Sequence, residues 1–213
     1  MSDYYEKQYD GREYYWGKKA STMCARALEF FPPRSGATVI DLGCGEGRNT
    51  VFFAEHGFTS IGLDISPTGL GKAHQLAEER HVGIETFPAD IKTVHLDRSY
   101  DIVFSTGTLH YLPPEIRTER FEHFKAMTSP NGIHVVAVFV AKPFIAPAPD
   151  AEEGSRPYRS GELMGYYHDW EILFSAEEIF DCLSGGIPHR HCVDRIVARR
   201  YQDNSRPDYP GIG

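Results

Sequence analysis

The chain has 213 residues, 41% of them hydrophobic and 13% aromatic, enough to bury the core of a folded domain. Its formal net charge is -8, which argues against nucleic acid as the main substrate, because phosphate contacts need a basic face. No apolar run reaches membrane-spanning length and the polar, tyrosine-rich start does not read as a secretory leader, so a cytoplasmic protein without a membrane partner is expected. Cys24, Cys44, Cys182 and Cys192 form no C-x-x-C pair, which fits a reducing compartment.

Residues 1–20 carry Tyr4, Tyr5, Tyr9, Tyr14, Tyr15 and Trp16. They read either as aromatics packed on the domain or as a lid, since aromatic faces suit a cationic ligand. Tyr14 and Trp16 are the expected ligand contacts. Ala20, Met23, Cys24, Ala27 and Leu28 have helical spacing over residues 18–30, and Pro32-Pro33 ends that helix. A strand from Thr38 to Leu42 then runs into Asp41-Leu42-Gly43-Cys44-Gly45-Glu46-Gly47-Arg48-Asn49. A buried strand, a turn with glycine at alternate positions and the start of a helix suit a nucleotide-type cofactor lying against bare backbone.

Charge narrows the cofactor. A dinucleotide fingerprint wants G-x-G-x-x-G with the pyrophosphate on the helix N-terminus. Here the spacing is G-x-G-x-G, and Arg48 stands where the third glycine would be. Asp41 and Glu46 would repel a pyrophosphate but tolerate an ammonium and a sulfonium, which S-adenosylmethionine (SAM) carries. A dinucleotide oxidoreductase is therefore the weakest of the enzyme readings. The stretch resembles the first motif of class I SAM-dependent methyltransferases, with Asp41, Gly43, Cys44, Gly45, Arg48 and Asn49 as its cofactor contacts.

The helix after the loop is predicted from Gly47 to His56, ending at Gly57. The second strand, Thr59 to Asp64, ends in an acid 21 residues after Gly43. Asp64 can accept both ribose hydroxyls. Ser66-Pro67 supplies the cap of the next helix, so Asp64 is expected to be available to a ligand, with Ile65 beside it. That helix runs to about Glu79, and Val82 to Phe87 is the third strand. Pro88-Ala89-Asp90-Ile91 resembles the class I segment that holds adenine, where the acid takes the exocyclic amine and the next apolar residue, Ile91, packs on the ring, with Ala89 also expected on the cofactor. Taken alone, Asp90 also fits plain turn chemistry.

Tyr100 to Ser105 is the fourth strand. Its exit, with Ser105, Thr106, Leu109, His110 and Tyr111, falls at the carboxyl edge beside the glycine loop, where the transferred group belongs. Ser105, Thr106 and Leu109 are expected on the cofactor. His110 is a candidate general base or a positioning donor, or else a wall residue. A helix follows from Pro113-Pro114 to about Met127, then a fifth strand from Ile133 to Val140. Residues 141–161 are rich in proline and acid and read as an acceptor-side loop. Arg156 and Arg159 there could attract an anion or lie solvated. Gly161 to Trp170 reads as a short helix, Glu171 starts a strand, and residues 175–182 fit strand or helix. Val193 to Arg199 is the last strand. The Pro/Gly-rich tail 201–213 reads as disordered, and residues 1–200 as the domain.

Residues 1–200 resemble the tellurite-resistance (TehB-like) methyltransferases within class I. The glycine loop, Gly161-Glu162-Leu163 with Tyr166-Tyr167 and Trp170, and His189-Arg190 with Ala198-Arg199 carry the resemblance. It implies an α/β, Rossmann-like fold with a seven-stranded, mostly parallel sheet, an antiparallel last strand and helices on both faces. It also implies SAM as donor, S-adenosylhomocysteine as product, and an assisting His189–Arg190 pair. The expected function is methyl transfer to a small nucleophile (oxygen, nitrogen, sulfur or a chalcogen oxyanion), largely by proximity and alignment. His110, His168 or His189 would set protonation, and Tyr111, Tyr166 and Tyr167 would close on the acceptor. The alternative is a SAM-binding sensor or assembly module without catalysis. His189-Arg190-His191-Cys192 contains possible metal ligands, but no second ligand pair at structural-zinc spacing accompanies it, so no metal is expected. The assembly is expected to be a monomer or homodimer.

Overall fold

A computed structural model of the protein describes residues 2–147, 154–183 and 187–201. The chain opens with helix α1 (Ser2–Tyr9) and helix α2 (Thr22–Phe30). Strand β1 (Thr38–Leu42), helix α3 (Arg48–Glu55), strand β2 (Thr59–Asp64), helix α4 (Pro67–Glu79) and strand β3 (Glu85–Pro88) follow. Strand β4 (Tyr100–Thr106), a 3-10 turn (Leu109–Tyr111), helix α5 (Pro114–Ala126) and strand β5 (Thr128–Val140) come next. Helix α6 (Glu162–Gly165) and the hairpin of β6 (Glu171–Cys182) and β7 (His189–Arg199) complete it. No helix of the described residues is long and apolar enough to cross a membrane.

The seven strands form one sheet in the order β3-β2-β1-β4-β5-β7-β6. Strands β1 to β5 are mutually parallel, and β7 runs antiparallel to both β5 and β6. This is the class I arrangement expected from the resemblance. Alternation along the strands divides the core between the two faces. Val39, Ile102, Phe104 and Val135 meet Met23, Cys24 and Ala27 of α2 and Phe53 of α3. Ile40, Leu42, Val103 and Val136 share the other core with Phe121 and Phe124 of α5 and with Tyr158, Leu163 and Tyr167. Parallel strands covered on both faces need continuous apolar runs, which β1 and β4 have.

Several boundaries differ from the sequence reading. The helix expected over 18–30 starts at Thr22, where the Ser21 hydroxyl caps the Met23 N–H. Strand β5 starts at Thr128 rather than Ile133; its pairing with β4 slips near Tyr100, where Asn131 adopts φ 61°. Residues 175–182, open between helix and strand, are strand, because each pairs across to β7. Strand β7 accordingly begins at His189, not Val193. The helix expected over 161–170 is a single turn. Residues 148–153 of the proline-rich loop and 202–213 of the tail lie outside the described residues.

Candidate active site

A cavity of about 780 Å³ opens at the carboxyl edge of the sheet, lined from the glycine loop across to the β6–β7 hairpin. Its floor is the loop between β1 and α3. Gly43 has φ 77°, and a Cβ there would lie 2.2 Å from the Thr108 side chain, so only glycine fits. The Gly43 and Cys44 N–H groups both donate to the Leu63 carbonyl, at 2.8 and 2.9 Å. The Gly45 N–H donates to Asp64 Oδ2 at 2.8 Å, and the Ser66 N–H to Asp64 Oδ1 at 2.9 Å. Asp64 thus clamps the loop to the end of β2. Burial raises its pKa, while these N–H groups pull it back down.

The roof is N-terminal chain. Tyr5 and Tyr9 stack at 5.4 Å on α1 and both line the cavity. The Tyr9 hydroxyl rests on Gly45, where a Cβ would come within 2.8 Å of it, and accepts from Trp16 Nε1 at 3.2 Å. Tyr5 exchanges a hydroxyl hydrogen bond with Tyr111 at 2.9 Å. Trp16 is held by its backbone, whose N–H donates to Glu46 Oε2 and whose carbonyl accepts from Arg48 Nη1. The buried Lys72 donates to Glu46 Oε1 at 2.9 Å and to the Glu13 carbonyl at 2.7 Å. Glu46 is therefore paired with a cation and serves the roof. It does not confront the ligand as a bare charge, contrary to the sequence reading.

The far wall joins β4, β5 and β7. His110 lines it, buried, with its ring against Phe139 at 4.9 Å. Its Nδ1 has no hydrogen-bond partner among the described residues. Burial, then the neighbouring Arg117 and His191, pushes its pKa down to about 3, so the ring is neutral at pH 7. Ile145, Phe180, Arg190 and His191 extend the wall outward. Arg190 is exposed, and no ion pair holds it among the described residues. The segment after β5 contributes Ala141, Lys142, Ile145, Ala146, Pro147, Ser155 and Pro157.

The family described as "Tellurite resistance protein TehB" matches residues 2–184. The chain belongs to the TehB family. The "Probable S-adenosyl-L-methionine-dependent methyltransferase TehB" of Haemophilus influenzae is 27% identical over 168 residues, covering 78% of this chain and 57% of that protein. The "Trans-aconitate 2-methyltransferase" of Deinococcus radiodurans is 32% identical over 59% of this chain and 47% of its own. The chain thus spans about half the length of these curated relatives. The crystal structure of TehB from Haemophilus influenzae superposes with a TM-score of 0.75 at 22% identity, over 93% of this chain and 66% of that one.

Within this member of the family, Trp16, Gly43, Cys44, Gly45, Arg48, Asn49, Asp64, Ile65, Ala89, Asp90, Ile91 and Thr106 line the cavity, as do His110, Tyr111 and Arg190. Asp64 and Asp90 also perform turn chemistry, Asp90 Oδ1 accepting the Lys92 N–H at 2.9 Å, so neither was left idle for a ligand. Other expected residues lie elsewhere. Tyr14 turns away, its hydroxyl donating to the Lys72 carbonyl. Asp41 is buried behind the loop, accepting from the Thr50 hydroxyl at 2.8 Å. The buried Ser105 hydroxyl donates to the Leu42 carbonyl, and Leu109 is in the core.

Tyr166 stacks on Phe121 at 4.3 Å, and Tyr167 is fully buried with its hydroxyl on His134 Nδ1. Both brace the core rather than an acceptor. The Arg117–Glu162 pair at 2.6 Å braces the same region, with Tyr166 donating to Glu162. His168 is exposed, outside the cavity, its Nδ1 on the Gly165 carbonyl. His189 is not in the lining; His191 is. Neither Arg156 nor Arg159 reaches the lining. The sequence reading missed Tyr5, Tyr9, Thr108, Phe139, Phe180 and His191 as lining residues. The i,i+4 spacing of Tyr5 and Tyr9 was the available signal for the first pair.

Proposed function

We propose that this chain transfers the methyl group of SAM to a small anionic acceptor. The family and its curated relatives support the donor. The cavity supports it physically: bare glycine backbone at Gly43 and Gly45, with carboxylates Asp64 and Asp90 at strand ends, suits an adenosine. The Asp64 carboxylate takes backbone N–H groups of Gly45, Ser66 and Ile65, and its remaining acceptor capacity is available to a ribose hydroxyl. The roof rings of Tyr5, Tyr9 and Trp16 suit a sulfonium cation. SAM supplies an electrophilic methyl group, so the protein's work is alignment and exclusion of water.

The observation that carries the acceptor class is Arg190, an exposed cation in the cavity wall that makes no ion pair among the described residues, although Asp181 stands opposite it on β6. A cavity of about 780 Å³ lies within the usual small-molecule range of about 300–1,000 Å³. His110, buried in the cavity wall and neutral, does not store the acceptor's proton. An acceptor already ionised at neutral pH suits that arrangement.

The test is formation of S-adenosylhomocysteine by the full chain with tellurite, selenite, a thiol, a carboxylate, a phenol and a neutral amine. Turnover on anionic acceptors that falls about tenfold or more in Arg190→Ala, at unchanged SAM affinity, supports the reading. Turnover on the neutral acceptors alone overturns the acceptor class. Tight SAM binding without turnover on any acceptor favours a SAM-binding module instead.

A further inference from the structure

The β6–β7 hairpin places Cys182 directly across from His189, with His191 two residues further on the same face of β7. One ligand atom from each of Cys182, His189 and His191 lies within 4.8 Å of the others. The sequence reading grouped Cys192 with these histidines and expected no metal; Cys192 follows His191 and is buried on the alternate face of the strand. Cys182 reaches the histidines only because the hairpin folds back. All three residues are half-buried, and Cys182 and His191 line the cavity.

We propose that Cys182, His189 and His191 bind a borderline-soft divalent transition-metal ion, with Zn²⁺ as the reference case, at the outer wall of the cavity. One thiolate and two imidazoles suit zinc, cobalt or copper and not magnesium or calcium. The histidine geometry is prepared for it. His189 Nδ1–H donates to the Ile187 carbonyl at 2.7 Å, which fixes the tautomer and leaves Nε2 with its lone pair. That Nε2 lies 2.8 Å from His191 Nε2. The proton between them occupies the position a metal can take. A tetrahedral ion about 2.0–2.1 Å from each nitrogen holds the two roughly 3.3 Å apart, so the pair opens by about half an ångström. The His191 ring sits between Phe139 at 4.7 Å and Phe180 at 5.6 Å, an apolar shell that restricts water. Three protein ligands leave a fourth position to water or to an acceptor atom, the pattern of open zinc sites.

The test uses the full chain stripped with a chelator and titrated with Co²⁺, in the absence of SAM and acceptor, so its outcome is independent of methyl transfer. The expected result is one ion per chain, with thiolate-to-cobalt charge-transfer absorption and tetrahedral d–d bands that Zn²⁺ displaces. Cys182→Ser should abolish the charge-transfer band, Cys192→Ser should retain it, and His191→Ala should weaken binding at least tenfold. Thermal unfolding of each variant reports whether it folds. In the unmodified chain, Zn²⁺ should slow maleimide labelling of Cys182 at least tenfold, read by mass spectrometry. Failure of uptake to reach stoichiometry, a band lost with Cys192 and not Cys182, or unprotected labelling of Cys182 would each overturn the site.

Discussion

A carboxylate has about four acceptor positions, and Asp64 engages the Gly45, Ser66 and Ile65 N–H groups. Asp64→Ala therefore removes a loop clamp and, on the proposed function, a ligand acceptor together. We expect SAM affinity to fall at least tenfold by calorimetry, with a lower melting temperature. A drop in melting temperature at unchanged affinity would confine Asp64 to the clamp. Asp41 gives a different signature. Burial, only partly offset by the Thr50 hydroxyl, raises its pKa to about 7 from 3.8. The folded state keeps a proton that the unfolded chain has released, so this stabilisation is present below about pH 4 and lost as pH rises to about 7. The stability of the wild type relative to Asp41→Asn should therefore fall by about 2–4 kcal/mol over that window. Urea unfolding at several pH values reads it, and a constant difference would refute the buried, protonated acid. At this scale the glycine loop, Asp64 and Asp90 were legible because their chemistry is local in sequence. Tyr166 and Tyr167, expected on the acceptor, lie instead against the core, because residue type and spacing alone do not distinguish a ligand contact from a core brace. Only the partners Phe121 and His134 make that distinction.

Helix α1 and the segment to Trp16 act as one element through their tie to α4. Glu46 and Lys72 form its anchor: the carboxylate holds the Trp16 N–H, and the ammonium holds the Glu13 carbonyl. Removing one partner of a buried pair leaves the other uncompensated, at about 3–5 kcal/mol. Glu46→Gln should lower stability by about 3 kcal/mol and speed hydrogen exchange across residues 2–16 more than across β1 or β4. Uniform exchange changes would mean that the roof is not a separate element. Tyr9→Ala should weaken SAM binding about tenfold while sheet exchange is preserved, because the ring covers Gly45 and Gly69 without entering the strand core. The roof was only half legible. Its aromatics are conspicuous in sequence, but which of them face inward depends on a helix too polar to announce itself by apolar periodicity. The β6 assignment failed to resolve for a related reason: an edge strand carrying Glu177, Glu178 and Asp181 lacks the apolar run of an interior strand, and charge on an edge is itself protective.

For the whole molecule, the parallel half of the sheet was readable because buried parallel strands are apolar on both faces and alternate with capped helices. The hairpin's true extent was not, since its length is set by cross-strand pairing from Glu171–Arg199 to Cys182–His189. Strand β7 is last in sequence yet lies between β5 and β6. A chain truncated before His189 should expose the edge of β5, with its buried Val135, Val136 and Val138, and aggregate. Recovery of a soluble, cooperatively folded truncation would show that β7 is dispensable to the core.

The same order has a consequence during synthesis. The ribosome delivers β6 while its place beside β7 does not yet exist, and β5 waits with an unpaired edge until the last 11-residue strand emerges. At about 5–20 residues per second, the stretch from the end of β5 at Val140 to the end of β7 at Arg199 takes roughly 3–12 seconds. Once it emerges, β7 pairs with β5 on one side and β6 on the other, and so closes the antiparallel end of the sheet.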